Sequence, residues 1–297
     1  MSEPWAELRQ WIESPADAVR WACGLEVTAP KLGNVHLSKS FVDLSAAEFL
    51  IAAEELAIAV TEHRQVGPIV LAAVRGTAGK TRSNVNLGIA LLLAPLALAA
   101  DRSGGEGSQS EQRGALEQVL AELTPEDARD VYAAIRLAKP GGLGTSEELD
   151  VRGGEDGETS SPPVPDRLLD AMQLARDRDA IARQYVSGFA DIYDSLVPRL
   201  AGEVAAEGDL LLGIRSAQLH HLAEHSDTLI ARKCGPAIAA EVGSRAAAVL
   251  ASPRGEKRRR ATREFDQWLR ADGNRRNPGT TADMIAAGLF VLLTTTR

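Results

Sequence analysis

The chain has 297 residues, 44% of them hydrophobic and 4% aromatic, and a formal net charge of −8. Such an acidic chain is a poor candidate for sequence-independent nucleic-acid binding, which depends on cationic contacts to phosphates. The longest apolar run, residues 87–100, is interrupted by Pro95. The run is also shorter than the roughly 20 residues that span a bilayer.

The two cysteines, Cys23 and Cys234, are too far apart in sequence to indicate a disulfide framework or a zinc site. The first residues lack the apolar core of a signal peptide. Both observations favour free thiols in a reducing compartment. We therefore expect a cytoplasmic protein that does not enter the membrane.

Helices dominate the predicted secondary structure, because alanine and leucine are abundant and no stretch alternates apolar and polar residues. Residues 45–48 have the form of a capping box, and residues 124–127 put a proline and two acids in a first helical turn. The run 87–100 predicts a buried central helix. Further helical segments are expected at residues 49–57, 69–74, 125–137, 167–200, 210–222, 228–250 and 284–293. The sequence predicts an all-α fold, a single large helical domain over residues 1–297 around the central Leu/Ala-rich helix.

Two segments are rich in glycine, proline, serine and charge, residues 101–113 and 139–166. Such compositions bury too little apolar surface to offset the entropy of ordering, so both are predicted to be mobile loops. The second is either an active-site lid or a disordered connection.

The first candidate site segment covers residues 26–43. Pro30 and Gly33 prevent a continuous helix here, and a polar loop that follows a helix is a common place for chemistry. The alternative is a solvated connection between helices. The segment contributes two carboxylates, an ammonium, an amide and an imidazole: Glu26, Lys31, Asn34, His36 and Asp43.

A second, glycine-rich polar segment, residues 76–88, opens the predicted central helix. The N-terminus of a helix presents free N–H groups to an anion. Asn84 and Asn86 lie there, and two amides exceed what capping requires. Gly79-Lys80-Thr81 resembles part of a Walker motif, but the glycine expected five residues earlier is Val74, so we reject a P-loop.

Two further segments place cations at helix ends. Arg136 precedes the glycine-rich stretch 139–144, where the backbone could approach a ligand closely. Thr228 and Arg232 share one helix face, and Lys233 adds a cation that favours an anionic partner. The simpler alternative for each is a partner of the helix dipole or a capped helix.

The last segment, residues 277–283, reads Asn-Pro-Gly-Thr-Thr-Ala-Asp. Thr280 and Asp283 have the spacing of a capping box, which would explain Asp283 but not the residues before it. The basic run 254–263 is interpreted as a solvated helix surface, because Glu256 and Glu264 lie within or beside it.

These segments together resemble the triphosphoribosyl-dephospho-CoA synthase family over residues 22–291. The family's Pro-Lys-Pro-Gly-x-Val motif is similar to residues 30–35, with Leu32 in place of the second proline. Its Asn-Thr-Asn-x-Gly motif is similar to residues 84–88, with Val85 in place of threonine. The Asp-Thr-x-Ile-x-Arg-Lys and Asn-Pro-Gly-Thr-Thr-Ala-Asp motifs match residues 227–233 and 277–283.

The resemblance implies an all-helical enzyme that takes ATP and 3′-dephospho-CoA, makes 2′-(5″-triphosphoribosyl)-3′-dephospho-CoA and releases adenine. Displacement at the ribose C1′ needs carboxylates, and the triphosphate needs Mg²⁺ and cations. The candidates for catalysis are Glu26, Asp43 and Asp283. Asp43 and Asp283 are also candidate Mg²⁺ ligands. The candidates for binding phosphates and sugars are Lys31, Asn34, His36, Asn84, Asn86, Arg136, Asp227, Thr228, Arg232, Lys233, Asn277 and Thr280.

Two alternatives remain open at this point. One is a related ribosyl-phosphate transferase in another cofactor pathway, such as tetrahydromethanopterin biosynthesis. The other is a non-catalytic nucleotide-binding protein. A homodimer is expected from the prevalence of dimers among soluble enzymes.

Overall fold

The computed structural model describes residues 4–81, 85–104, 107–138 and 165–296. Within these ranges the chain forms fifteen α-helices, a π-helical turn at Asp191–Leu196 and no β-strand, which confirms the predicted all-α fold. The α-helices are α1 (Pro4–Arg9), α2 (Pro15–Thr28), α3 (Ala46–Glu62), α4 (Val66–Lys80), α5 (Leu87–Arg102), α6 (Gln109–Ala121), α7 (Pro125–Ala138), α8 (Leu168–Ala175), α9 (Ala180–Ser187), α10 (Val197–Glu207), α11 (Leu210–Glu224), α12 (Thr228–Cys234), α13 (Pro236–Ala251), α14 (Glu256–Arg270) and α15 (Gly279–Thr294).

Two apolar helices, α5 and α15, form the centre of the main core and pack against each other. Twelve residues of α5 between Ile89 and Ala100 are buried in an unbroken run. The helix continues through Pro95, which is itself buried. Each buried leucine or isoleucine contributes about 1.5–3 kcal/mol to folding, so these two helices are a major source of stability. The predicted central helix is therefore confirmed, with α15 as its equal partner.

Local sequence signals set several helix boundaries as expected. Ser45 and Glu48 form the predicted capping box at the start of α3. Asp127 accepts hydrogen bonds from the N–H and the hydroxyl of Thr124, each at 2.8 Å, at the start of α7. The predicted helix 228–250 is wrong in one respect: it breaks into α12 and α13 at Gly235, whose φ is 91° and which precedes Pro236.

The segment 167–200 was expected to hold one or two helices and instead contains α8, α9, the π-helical turn and the start of α10. Gly188 ends α9 in the left-handed conformation, with φ 63°. Phe189 follows with φ 60°, which is uncommon for a residue with a side chain, and it is fully buried. The reversal at these two residues redirects the chain into the π-helical turn.

The glycine-rich segment 76–88 does not form a polar loop along its whole length. Gly76 to Lys80 lie in the last turns of α4. A Cβ built on Gly76 would overlap the carboxylate of Glu55 on α3, and Glu55 forms an ion pair with Lys80. This packing explains how a helix persists through two glycines. Gly79 and Lys80 thus lie at the end of a helix, in agreement with the rejection of a P-loop.

The predicted mobile segment 101–113 is shorter than expected. Asp101 and Arg102 end α5, and α6 already begins at Gln109 behind a capping box between Ser108 and Glu111. The capping box is a local signal that the composition of the segment obscured. Most of the second predicted mobile segment, residues 139–164, lies outside the described residues, and the lid assignment with it.

A second, smaller core joins α11, α12, α13 and α14. It includes Leu32 from the loop after α2, and so connects that loop to the rest of the protein. The basic run lies on α14, where Arg259 and Arg263 pair with Glu256 and Arg260 pairs with Glu264, as predicted for a solvated helix surface.

Cys23 is buried, Cys234 is half-buried, and both are free thiols, as predicted. Across the part of the chain that the structure describes, none of the helices combines the length and the apolar character needed to cross a membrane.

Candidate active site

A cavity of about 540 Å³ opens between helices of both cores and the loops that follow α2 and α14. Its size is typical of a site for a small-molecule ligand. One part of its wall is charged and polar, and another part is apolar. Eight of the residues proposed from the sequence contribute to the polar part: Glu26, Asn34, Asp43, Arg232, Lys233, Asn277, Thr280 and Asp283.

Glu26 lies in the last turn of α2 and reaches the cavity wall with its ionic partner behind it. The Nζ atom of Lys31 is 2.7 Å from Oε1 of Glu26. Lys31 also donates a hydrogen bond to the main-chain carbonyl of Glu26. The side chains of both residues are almost completely inaccessible to solvent, 0% for Lys31 and 4% for Glu26.

Asp283 lies in the second turn of α15 and packs against the first turn of α5. A Cβ built on Gly88 would overlap Oδ2 of Asp283, so only glycine leaves room for this carboxylate. Burial raises the pKa of Asp283 well above its usual range, and the nearby charges of Glu26 and Asp227 raise the pKa further. Two carboxylates with very different surroundings therefore lie close together.

The N-termini of α5 and α15 both contribute to the cavity wall, through Leu87 and Gly88 on α5 and through Gly279 and Thr280 on α15. Neither the N-cap residue Asn86 nor the N-cap residue Pro278 forms a side-chain hydrogen bond to its helix. The positive ends of two helix dipoles thus border one cavity, although the N–H of Thr281 in the first turn of α15 is bonded to Asp227. Such an arrangement favours a polyanionic ligand.

Three cations line the cavity beside these helix ends. Arg232 is half-buried and forms an ion pair with Asp179. Its Nε atom is buried without a hydrogen-bond partner among the described residues. Burial lowers the pKa of the half-buried Lys233. Arg178 is exposed and lies at the rim. Lys233 and Arg178 form no ion pair with a described carboxylate, so both are available to a phosphate group.

The apolar part of the wall comes mainly from α5, α7, α8 and α9. Tyr132 on α7 is one of its aromatic members, with Phe41 and Phe49 as others, and it donates a long hydrogen bond of 3.4 Å to the carbonyl of Pro165. Burial raises the pKa of Tyr132 to about 12, so the phenol is neutral at physiological pH. The other apolar members from these helices are Leu87, Ile89, Leu91, Val131, Ile135, Leu168, Ala171, Met172, Ala175, Ile181 and Ala182.

Residues 12–296 match the CitG family, which is described as ATP:dephospho-CoA triphosphoribosyl transferase. The chain belongs to this family. It is a transferase of the triphosphoribosyl-dephospho-CoA synthase class, as the sequence motifs indicated.

A solved structure is similar to the chain along most of its length. It is a crystal structure from Archaeoglobus fulgidus, described as that of a candidate triphosphoribosyl-dephospho-CoA synthase. The two proteins share 26% sequence identity with a TM-score of 0.62, and the match covers 82% of this chain and 98% of the other. A search among curated proteins found no match.

The structure corrects the roles of two residues in the family's first motif. Lys31 was proposed to contact phosphate, but its ammonium is sealed against Glu26 and does not reach the cavity. His36 is buried outside the cavity wall, where Nδ1 lies 3.1 Å from the hydroxyl of Ser38. Burial and the charge of Arg270 lower the pKa of His36 to about 4. Neither side chain lies in the cavity wall, and both have their partners within residues 26–38.

The proposed amides and cation near α5 and α7 also differ from expectation. Asn86 is buried outside the main cavity and donates a hydrogen bond of 2.8 Å to the hydroxyl of Thr77, which ties α5 to α4. Arg136 is exposed and absent from the cavity wall, although Tyr132 and Ile135 on the same helix belong to it. Asn84 lies outside the described residues.

Asp227 and Thr228 connect helices behind the cavity wall instead of lining it. Asp227 caps α12 and accepts two hydrogen bonds of 2.8 Å, from the N–H and the hydroxyl of Thr281. The hydroxyl of Thr228 is 3.2 Å from that of Thr280, which does line the cavity. These contacts fix the start of α15, so Asp227 and Thr228 order the site from behind, while Arg232 and Lys233 of the same motif form part of its surface.

The loop that carries Asn34 is held from behind by α11 and α14. Gln218 is fully buried and donates a hydrogen bond of 2.7 Å to Oδ1 of Asn34. Asp266 accepts hydrogen bonds from the N–H of Gly33 at 2.8 Å and from Nε of Arg270 at 2.9 Å. Gly33 has φ 73°, and a Cβ there would meet Leu269 and Pro278. Sequence reasoning missed these supports, because single polar residues on apolar helices carry no motif.

Sequence reasoning also missed Arg178 and Asp179, which lie outside the segments chosen for chemistry. Asp179 caps α9, with Oδ1 accepting hydrogen bonds from the N–H groups of Ile181 at 2.8 Å and Ala182 at 3.2 Å. An aspartate directly before a helical segment is a capping signal, but nothing in the sequence pairs Asp179 with Arg232.

The predicted metal site is only partly supported by the geometry. Within the described ranges, no group of three or more histidine, cysteine, aspartate or glutamate side chains could hold an ion. Asp43 is exposed at the cavity wall, whereas Asp283 is enclosed between α15 and α5. A protein-built metal cage therefore has no support among these residues.

Proposed function

We propose that this transferase joins the triphosphoribosyl group of ATP to the 2′-hydroxyl of 3′-dephospho-CoA and releases adenine, with Glu26 and Asp283 as its catalytic residues. The observation that carries the proposal is the position of this carboxylate pair in one cavity with the N-termini of α5 and α15, three cations and an apolar wall. This combination of groups suits a reaction that removes the base of a nucleotide and retains its triphosphate.

The three parts of the cavity correspond to the three parts of ATP. The triphosphate would lie at the N-termini of α5 and α15, with Lys233, Arg232 and Arg178 as cationic partners. The adenine would lie against the apolar wall near Tyr132. The ribose then lies between them, which brings its C1′ to Glu26 and Asp283.

The chemistry of glycosyl transfer explains why carboxylates belong at this point. Departure of adenine develops positive charge on the ribose, and a carboxylate stabilises that charge. The attacking hydroxyl must lose a proton, and the departing base must gain one. Two neighbouring carboxyl groups can perform both proton transfers.

Mg²⁺ is proposed as the companion of ATP, because a triphosphate in an enzyme site is usually bound with this ion. Asp43 offers a carboxylate at the cavity wall and would hold the ion together with phosphate oxygens, without a full set of protein ligands. When bound, the ion would neutralise part of the triphosphate charge. Asp283 is assigned to the chemistry because it is packed against Gly88 and lies beside Glu26.

The remaining polar residues of the wall would orient the substrates. Asn277 has a buried Oδ1 without a partner among the described residues, and Asn34 and Thr280 present polar groups nearby. The family assignment does not favour a different ribosyl-phosphate transferase or a non-catalytic nucleotide-binding protein. A cytoplasmic location and a homodimer stay predictions.

The test is incubation of the protein with Mg-ATP, with and without 3′-dephospho-CoA, followed by chromatography and mass spectrometry. We expect free adenine and a triphosphoribosyl adduct of dephospho-CoA in equal amounts, and neither product without the acceptor. Binding of ATP with no adenine released would contradict the proposal and favour a nucleotide-binding protein. Adenine released only with another acceptor would favour a transferase of a different pathway.

A further inference from the structure

Lys31 has two partners, and both belong to Glu26. Its Nζ atom is 2.7 Å from the carboxylate Oε1 and also donates a hydrogen bond to the main-chain carbonyl of the same residue. Lys31 is 0% exposed, so no ligand in the cavity can touch its ammonium. Any effect of Lys31 on the reaction must therefore pass through Glu26.

The needs of the fold alone do not explain this ammonium. The carbonyl of Glu26 lies in the last turn of α2, where a neutral donor would satisfy it. Burying an ammonium is unfavourable unless a nearby anion compensates for the lost hydration. Among the described residues, the carboxylate that pairs with Lys31 is that of Glu26, which lines the cavity. The arrangement is understandable if the protein needs Glu26 to keep its negative charge there.

Asp283 has the opposite surroundings. No described side chain or N–H group forms a hydrogen bond with its carboxylate. The charges that act on it are those of Glu26, Asp227 and Asp179, opposed by Arg232. Gly88 leaves just enough room for it beside the backbone of α5.

The same electrostatic environment extends to Cys23 on α2. This thiol is buried, and burial together with the charges of Glu26 and Asp283 raises its pKa. Cys23 therefore stays a neutral thiol and takes no part in proton transfer. Among the described residues, the ionisable groups shown to interact with Glu26 are Lys31, Cys23 and Asp283, and Lys31 is the cation of this set.

We propose that Lys31 is a positioning residue that holds Glu26 as the charged member of the carboxyl pair, so that Asp283 is the member that donates a proton to departing adenine. The inference rests on the proposed function. It divides the two catalytic roles, which the proposed function leaves undivided.

The step can be written with atoms and charges in balance. The 2′-oxygen of dephospho-CoA forms a bond to C1′ of ATP as the bond from C1′ to N9 of adenine breaks. The electron pair of that bond leaves with adenine, which takes the proton of Asp283. Glu26 accepts the proton of the attacking hydroxyl. Transfer of that proton from Glu26 to Asp283 then restores the starting state.

The first test compares Lys31→Met with the conservative Lys31→Arg. In Lys31→Met, Glu26 loses its compensating charge, so we expect kcat to fall by about 10²-fold at neutral pH, the scale of acid–base catalysis. The acidic limb of the kcat profile should move to higher pH, by about one pH unit or more, because Glu26 becomes harder to ionise. The KM for ATP should change by less than about threefold, since uniform binding is not affected. In Lys31→Arg, the acidic limb of the kcat profile should lie at the same pH as in the wild type.

Two results would overturn the inference. A large rise in the KM for ATP with kcat unchanged at saturation would make Lys31 a phosphate contact after all. A fall in kcat with an unmoved pH profile would reduce Lys31 to a purely structural role.

The second test needs no Lys31 variant and so decides the matter even if Lys31→Met does not fold. Infrared spectra of the full-length protein at neutral pH are compared after ¹³C-carboxyl labelling of aspartate or of glutamate. We expect a carboxylic-acid band that moves with labelled aspartate and loses a component in Asp283→Asn. A band that moves with labelled glutamate, or no loss in Asp283→Asn, would refute the division of roles.

Failure of the inference and failure of the proposed function have different signatures. Adenine release with a protonated glutamate would contradict the division of roles but keep the transferase. A protonated Asp283 in a protein that never releases adenine would contradict the proposed function and leave the ionisation states standing.

Discussion

Two ion pairs border the cavity, and they differ in how far solvent reaches them. In the Lys31–Glu26 pair the side chains are 0% and 4% exposed, whereas in the Arg232–Asp179 pair both are 25% exposed. Each pair contains a carboxylate in the cavity wall and a cation that the sequence suggested for phosphate binding. Only Arg232 lies in the wall itself.

The difference in solvent exposure indicates different roles for the two cations: Lys31 keeps a neighbouring carboxylate charged, whereas Arg232 can bind a ligand. Lys31 is sealed behind its carboxylate, so its charge acts on Glu26 alone. Arg232 keeps part of its guanidinium at the cavity, and Asp179 is occupied in capping α9. We infer that the Lys31–Glu26 pair, the sealed pair, takes part in the chemistry, and that the Arg232–Asp179 pair, the open pair, takes part in substrate binding. The following variants test that division, starting with the largest expected effect.

Glu26→Gln should remove the charged carboxyl group of the sealed pair. We expect kcat for adenine release to fall by about 10²–10³-fold, with the KM for ATP nearly unchanged, because the lost interaction forms mainly in the transition state. Asp179→Asn is the matched change in the open pair. It should lower kcat by less than about tenfold and leave the helix cap nearly intact, because asparagine caps a helix about as well as aspartate. Equal losses of kcat in the two variants would contradict the comparison.

Gly88→Ala should displace the carboxylate of Asp283 without disrupting α5, since alanine favours a helix. We expect kcat to fall by about 10- to 100-fold, because a displacement of about 1 Å can have an effect of this size. Gly202→Ala is the control: Gly202 lies within α10 with open space at its Cβ position. Thermal denaturation would show both variants folded. Normal turnover in Gly88→Ala would mean that the position of Asp283 is unimportant.

Lys233→Met should weaken ATP binding and leave the chemistry intact. The expected rise in the KM for ATP is about tenfold at low salt, the size of one charge-assisted hydrogen bond, and smaller at high salt because ions screen the interaction. Lys257→Met, at an exposed position on α14, controls for the loss of one charge. If the two variants bound ATP equally well in calorimetry, Lys233 would have no role in the site.

The smallest expected effect is on stability: Asp283→Asn should stabilise the folded protein by a few degrees in Tm, although its turnover falls as in Glu26→Gln. Burial and the charge of Glu26 raise the pKa of Asp283, so the folded state retains a proton that the unfolded state releases. The stability contributed by the protonated carboxyl is therefore lost as the pH rises above the ordinary aspartate pKa of about 3.9 toward the raised value. The Tm of the variant should exceed that of the wild type by a few degrees at pH 8, and the gap should shrink toward pH 4.

The same melting curves recorded for Asp177→Asn, at an exposed carboxylate, provide the control. If the difference in Tm between Asp283→Asn and the wild type did not change with pH, ionisation of Asp283 would not destabilise the folded protein.

The sequence was sufficient to predict those helices whose position depends on local signals. Capping boxes and the apolar pattern located α3, α5, α7 and α15, because caps and periodicity act within one or two turns. The break at Gly235 was also readable, since proline follows a glycine there, but the apolar pattern on both sides concealed it. Gly76 stayed within α4 for a reason that sequence cannot supply, which is its contact with Glu55 on another helix.

The site was only partly predictable from the sequence, because it too depends on contacts between residues that are distant in sequence. Lys31 and Lys233 look alike in the sequence, because each lies at or just after the end of a helical segment that contains or follows an acid. Tertiary packing seals one against Glu26 and leaves the other at the cavity. Gln218 and Asp179 act through partners that are distant in sequence, so their roles depend on contacts that no local pattern encodes.

The most direct test of the account is adenine release in a single turnover, measured by rapid quench with saturating Mg-ATP and 3′-dephospho-CoA. We predict that Lys233→Met reacts at nearly the wild-type rate once saturated, whereas Glu26→Gln and Asp283→Asn are slower by about 10²-fold or more. Wild-type rates in both carboxyl variants, with a slow Lys233→Met, would contradict the claim that the carboxyl pair carries the chemistry.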